Sequence, residues 1–125
     1  MPTVLIVDDE YVLAEILGDV LEDEGYEVVK ARSARKGLEL LEQARPDLVI
    51  TDYMMPGMNG AEFASAIRAK PRFAHLPIIL MTGAQGLEGR SAPELFTQVV
   101  DKPFHLDALL ARIALLAPLK DQPEA

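Results

Sequence analysis

Apolar residues occur in short dense runs that end on charged or turn-forming residues, and stripes of helical spacing lie between them. Val4-Leu5-Ile6-Val7 is a β-branched run that stops at Asp8-Asp9-Glu10, and it predicts a buried strand. Val12, Leu13, Ile16, Leu17, Val20 and Leu21 follow at the spacing of one helical stripe, with Gly25 placed as a C-terminal cap. Tyr26 to Ala31 predicts a second strand. Ser33 is placed to cap a second helix through Ala34, Leu38 and Leu41, with Pro46 just beyond its end. Asp47 to Thr51 predicts a third strand, which hands over at Asp52 to the turn sequence Pro56-Gly57-Met58-Asn59-Gly60. Asn59 is placed to cap a third helix through Phe63 and Ile67 that ends near Lys70-Pro71. Pro77 to Met81 predicts a fourth strand ending at Thr82-Gly83, and Thr97 to Asp101 a fifth, followed by Lys102-Pro103-Phe104. Gly86, Gly89 and Pro93 weaken any long helix between Ala84 and Phe96, so a short or irregular one is expected there. A last helix carries Leu106, Leu109, Leu110, Ile113 and Leu116 as core positions, and Ala117-Pro118 to Ala125 reads as a frayed tail.

Five alternations of strand and helix call for an α/β fold, a doubly wound parallel sheet with helices on both faces. Right-handed crossovers then bring all the strand C-termini to one edge. A chain of 125 residues fits one domain with a full core, assigned to residues 1–117, with 118–125 as a short tail. A net charge of −8 argues against a sequence-independent grip on nucleic acid. The absence of cysteine removes disulfides, thiolate metal sites and a thiol nucleophile. No signal-like segment or membrane-length apolar run is present, so a soluble cytoplasmic protein is expected.

The predicted edge gathers Asp8 and Asp9 from the first strand, Asp52 from the third, Thr82 from the fourth and Lys102 from the fifth. Each has an ordinary explanation: an acidic pair suits a helix N-terminus, and a lone Thr or Lys at a strand end is usually structural or solvated. Together they form a different object. Three carboxylates repel one another unless a hard cation relieves them, and oxygen ligands with room for water suit Mg²⁺. With no His or Cys in the set, zinc is a poor match. A metal on carboxylates, a hydroxyl and an ammonium can hold a phosphoryl group, which one carboxylate could attack in line. Residue chemistry alone leaves open which aspartate attacks.

Val7-Asp8-Asp9-Glu10, Asp52-Tyr53-Met54-Met55-Pro56-Gly57-Met58-Asn59-Gly60, Met81-Thr82-Gly83 and Lys102-Pro103-Phe104 resemble, in order and spacing, the four signatures of response-regulator receiver domains. The resemblance covers about residues 3 to 117. It implies a flavodoxin-like three-layer sandwich with strand order 2-1-3-4-5. It implies that Asp52 accepts a phosphoryl group from a phosphohistidine of a sensor histidine kinase or histidine phosphotransfer protein. Asp9 and Asp52 match direct Mg²⁺ ligands, with the Met54 carbonyl as a third, and Asp8 matches an acid acting on the metal through water. Thr82 matches the hydroxyl that closes onto the phosphoryl group and Lys102 the cation that pairs with it. The Lys102-Pro103 peptide matches one that is usually cis. The resemblance further implies a signalling switch rather than an enzyme, one that catalyses only its own phosphorylation and dephosphorylation. Its output is contact with a downstream protein, or onward transfer to another histidine, through the face around the fourth helical segment and the fifth strand. No nucleic-acid or membrane partner is implied, and a monomer or weak dimer is expected. Only eight residues follow Ala117, so a stand-alone receiver is expected.

Two features depart from the family pattern. Val99 stands three residues before Lys102, where the family usually carries an aromatic ring that swings behind the threonine. Valine has no ring and is stiff about χ1, so the switch is expected to run instead through an order–disorder change between Thr82 and Lys102. Met54 and Ala84 occupy the two positions that tune phosphoryl lifetime, and neither side chain orients an attacking water, so slow self-dephosphorylation is expected. Two alternatives remain beside the switch: a receiver-like docking module that is never phosphorylated, and an aspartyl-phosphate phosphohydrolase. Against the second, the first strand ends in adjacent Asp8-Asp9 rather than Asp-x-Asp. A flavin or dinucleotide module is disfavoured because no Gly-x-Gly-x-x-Gly follows the first strand. His75 and His105 fall at no strand exit and are expected on the surface. Met54, Met55 and Met58 offer either a soft partner surface or packing, and Tyr11 and Tyr53 either gate the acidic site or are exposed turn residues.

Overall fold

The structure is a computed structural model that describes residues 2–83, 94–101 and 105–119. Its elements are β1 (Thr3–Val7), α1 (Tyr11–Glu24), β2 (Glu27–Ala31), α2 (Ala34–Ala44), β3 (Leu48–Asp52), α3 (Gly60–Arg68), a 3-10 turn (Pro71–Phe73), β4 (Ile78–Thr82), β5 (Gln98–Asp101) and α4 (Leu106–Leu116). The strands form one parallel sheet in the order β2-β1-β3-β4-β5. Every residue of β3 and β4 is buried, as expected of central strands covered on both faces.

The caps anticipated from the sequence hold the helices. Gly25 ends α1 in the left-handed region, with φ 109°, where a side chain would be strained. The Ser33 hydroxyl accepts from the Lys36 amide at the start of α2. Asn59 and Glu62 form a reciprocal capping box on α3, each side chain accepting from the other's backbone N–H. The irregular helix expected between Ala84 and Phe96 lies mostly outside the described residues, as does Lys102-Pro103-Phe104.

Two apolar clusters cover the sheet. One gathers Leu5, Val7, Val49, Ile78 and Leu80 with Phe63, Ile67 and Met55. The other gathers Val4, Ile6, Ile50, Ile79 and Met81 with Leu17, Leu21, Leu109 and Ile113. Ala117 and Leu119 join the second cluster, and the Tyr26 hydroxyl donates to the Ala117 carbonyl at 2.9 Å, so the start of the expected frayed tail is packed. Burial first, and the Glu24 carboxylate second, push the Tyr26 phenol above its ordinary value. At the opposite edge of the sheet from β2, Arg68 donates to the Phe73, Leu76 and Leu95 carbonyls and pins the approach to β5 against the end of α3. Burial pulls its guanidinium below its usual range.

One expectation is corrected in α1. Its apolar positions do not form a single buried stripe. Leu17 and Leu21 are buried with Ala14, whereas Val12 is 68% exposed and Ile16 55% exposed. The apolar residues of α1 cover a wide arc, and only the side turned toward β1 and β2 is covered. The last turn of α1 carries Glu22, Asp23 and Glu24 with no basic residue, so charge there opposes the helix dipole. Asp23→Lys is expected to stabilise the domain by about 0.5–1 kcal/mol through the dipole and the Asp19 pairing, read as a higher urea midpoint at unchanged slope.

Candidate functional site

The site lies where β1, β3 and β4 end. Val7 pairs with Thr51 and Asp52 with Met81, which brings the exits of these strands level. Asp8 leaves β1 with its amide bonded to the Ala31 carbonyl at 3.1 Å, and its side chain is fully buried. Asp52 closes β3 at 6% exposure, and Thr82 closes β4 at 1%. Buried charge of this kind is costly unless partnered, so these carboxylates mark a site rather than a surface.

The chain after Asp52 folds back tightly. The Tyr53 amide donates to the Met81 carbonyl, and the Gly60 amide to the Tyr53 carbonyl at 2.8 Å, closing the loop before α3. Thr51 spends its buried hydroxyl on the Asp52 carbonyl at 3.0 Å. The three loop methionines separate: Met55 is buried in the first cluster, Met58 packs against it, and Met54 is 66% exposed. Tyr53 is half-buried against the same cluster. The Tyr11 side chain lies outside the described ones.

Carboxylate oxygens of Asp8, Glu10 and Asp52 lie within 4.8 Å of one another. Glu10 was not among the residues expected from the sequence. It sits in extended conformation just before α1, with its amide donating to Asp8 Oδ1 at 2.9 Å. Asp9, between them, is exposed and is not in this trio. The chain bends at Asp9, and the Glu10 amide turns back to Asp8 Oδ1, so Glu10 is held beside Asp8 while Asp9 stays exposed. The signal that points to Glu10 is that it is the third acidic residue of the run leaving β1 at this edge. An all-oxygen set, two of its members withdrawn from solvent, fits a hard divalent cation and not a soft one.

Thr82 is paired with Asp101 across β4 and β5, and Lys102 is the next residue in the chain, itself outside the described residues. Val99 pairs with Leu80 and is half-buried against the first cluster, so an aliphatic side chain fills the position where the family places its ring. His75 and His105 are both exposed and neither belongs to the acidic trio. No helix among the described residues is long and apolar enough to cross a membrane.

Residues 4–114 match the family model of the response regulator receiver domain. The chain belongs to this family, the receiver domains of two-component response regulators. It is 36% identical over 116 residues to the phosphate regulon transcriptional regulatory protein PhoB of Rhizobium meliloti, covering 90% of this chain and 51% of that protein. It is 36% identical over 121 residues to the sensor histidine kinase TmoS of Ectopseudomonas mendocina, covering 95% of this chain and 12% of that protein. The chain thus spans about half the length, or less, of these relatives. Among solved structures it resembles the chemotaxis protein CheY4 of Vibrio cholerae, with TM-score 0.83, 31% identity, and 93% and 98% of the two chains covered. It also resembles the response regulator TrrA of Thermotoga maritima in complex with Mg²⁺ and BeF, with TM-score 0.82, 35% identity, and 93% and 99% covered. Receiver domains are signalling domains that bind Mg²⁺ through an acidic pocket, and the cluster of Asp8, Glu10 and Asp52 is consistent with one.

Proposed function

We propose that this chain is a phosphorylation-dependent switch that accepts a phosphoryl group on Asp52 from a phosphohistidine of a sensor kinase or phosphotransfer protein. The observation that carries this reading is the placement of the Asp52 carboxylate beside those of Asp8 and Glu10, at a strand exit next to Thr82. An Asp52 oxygen attacks phosphorus in line, the bond from phosphorus to the donor breaks, and the leaving group takes the electron pair. Mg²⁺, when bound, supplies positive charge against the phosphoryl oxygens. Asp9, Asp52 and the Met54 carbonyl are its direct ligands in this reading, with Asp8 acting through water. Thr82 donates its hydroxyl to the phosphoryl oxygens and Lys102 pairs with them. The output is contact with a downstream protein, in the cytoplasm, without nucleic-acid or membrane binding by this chain.

Intact-mass measurement after incubation with a small phosphodonor tests the proposal. The wild type should gain one phosphoryl group with Mg²⁺ and none in chelator. No gain with any donor would favour the docking-module alternative, and steady turnover of phosphomonoesters the phosphohydrolase.

Phosphoryl lifetime gives a second test. The Met54 side chain is apolar and exposed, so nothing at this position holds a water for attack. A Met54→Asn, Ala84→Glu double variant should lose its phosphoryl group faster by about tenfold, equivalent to about 1.4 kcal/mol off the hydrolytic barrier. An unchanged decay rate would remove these positions from control of lifetime.

A further inference from the structure

A cavity opens at the end of the sheet opposite to Asp52, where β4 and β5 begin. There the Thr97 amide donates to the Ile78 carbonyl at 2.8 Å, and the Ile78 amide to the Thr97 hydroxyl at 3.1 Å. The cavity has a volume of about 240 Å³, and among the described residues Arg68, Ala74, His75, Glu94, Phe96 and Thr97 line it. Pockets for drug-sized ligands run to about 300–1,000 Å³, so an occupant here is one small molecule.

Two opposite charges line this cavity without meeting. Arg68 donates to the Phe73, Leu76 and Leu95 carbonyls at 3.2, 2.6 and 3.0 Å, which leaves donors on Nε and Nη2 of its five-donor guanidinium. All three acceptors are neutral, and among the described residues no carboxylate forms an ion pair with Arg68. A half-buried cation held only by neutral carbonyls is costly, and a carboxylate is the acceptor that a guanidinium takes best. Glu94 lines the same cavity, is exposed, and has no ion-pair partner among the described residues either. Between them, Phe96 is 5% exposed and supplies an apolar wall. The Thr97 hydroxyl accepts from the Ile78 amide and so keeps its own proton to donate. A plain anion would be repelled by Glu94 and a plain cation by Arg68, whereas a molecule carrying both charges satisfies both.

We propose that this cavity binds a small zwitterion of the α-amino-acid type, with its carboxylate on Arg68 and the Thr97 hydroxyl, its ammonium on Glu94, and its side chain against Phe96 and Ala74. The site lies at the other end of the sheet from the phosphoacceptor and does not depend on that reading.

Amide shift mapping on the whole chain with L-leucine and L-phenylalanine tests the proposal. Shifts should centre on Arg68, Ala74, Phe96 and Thr97. L-leucinamide lacks the carboxylate and N-acetyl-L-leucine the ammonium, and each should bind about tenfold or more weakly, as expected when a charged hydrogen-bonding group loses its partner. The carboxylate is removed from the ligand because Arg68 also holds three backbone carbonyls of the fold. Glu94→Gln should weaken L-leucine by about tenfold and leave N-acetyl-L-leucine unchanged or tighter, which separates contact with the ammonium from a general loss of the cavity. Ala74→Leu should fill the cavity and abolish binding of both amino acids. No shifts with either amino acid, shifts centred elsewhere, derivatives that bind as well as L-leucine, or an unchanged affinity in Glu94→Gln would overturn the proposal.

Discussion

Asp52→Ala is expected to abolish phosphoryl uptake from a small donor in Mg²⁺, with the intact mass unchanged where the wild type gains one phosphoryl group. The expectation rests on placement. Asp52 ends β3, a strand buried along its whole length, and only 6% of its surface reaches solvent. Its carboxylate lies within 4.8 Å of those of Asp8 and Glu10. The two neighbours are poorly placed to replace it. Asp8 is fully buried and accepts from the Glu10 amide, which fixes its orientation, and Glu10 stands at the start of a helix rather than the end of a central strand. The same substitution removes a carboxylate from the cation set. A cation a hundredfold above its dissociation constant stabilises a folded protein by about 2.7 kcal/mol, so Mg²⁺ should raise the wild-type Tm by several degrees and that of Asp52→Ala far less. Phosphate gained on Asp8, Asp9 or Glu10 in the variant, or an undiminished Mg²⁺ shift, would refute the assignment of Asp52.

Gly60→Ala is expected to destabilise the domain by about 3 kcal/mol or more, the upper end of overpacking costs. A Cβ at Gly60 would lie 2.6 Å from the Asp52 carbonyl oxygen and 2.9 Å from Tyr53 Cα. Both are backbone atoms, so no rotamer change relieves the contact, and α3 must move away from the strand that carries the acceptor. The Gly60 amide bond to the Tyr53 carbonyl would stretch with it. The comparison is Gly57→Ala. Gly57 has φ 81° with open space around it, so a side chain there costs only the left-handed backbone conformation, about 1–2 kcal/mol. Urea midpoints of the two variants should differ clearly, and Gly60→Ala should also slow phosphorylation because the Asp52 backbone is displaced. Equal midpoints would show that the loop yields without cost.

Much of the architecture was legible residue by residue. The strands are dense β-branched runs, and parallel central strands must be apolar on both faces, so Val4 to Val7 and Leu48 to Ile50 announced themselves. Gly25, Ser33 and Asn59 are local devices whose chemistry works within a turn, and each caps its helix as expected. Asp8, Asp52 and Thr82 were placed at one edge by topology alone, because parallel strands with right-handed crossovers share their C-terminal side.

What the amino-acid sequence determined by itself is therefore the order of elements, their caps, the sheet class and the edge that carries the acidic residues. Periodicity and turn chemistry are local, and they survive without knowledge of neighbours. The tertiary structure decided which of several equivalent side chains face inward. Val12 and Ile16 share the apolar arc of α1 with Leu17 and Leu21, and only contact with the sheet leaves the first pair in solvent. Met55 is buried in the cluster that holds Leu80 and Phe63, while Met54, its neighbour in the same loop, is left in solvent. Glu10 joins Asp8 and Asp52 while Asp9 is exposed, a difference set by the bend at Asp9 that composition does not encode.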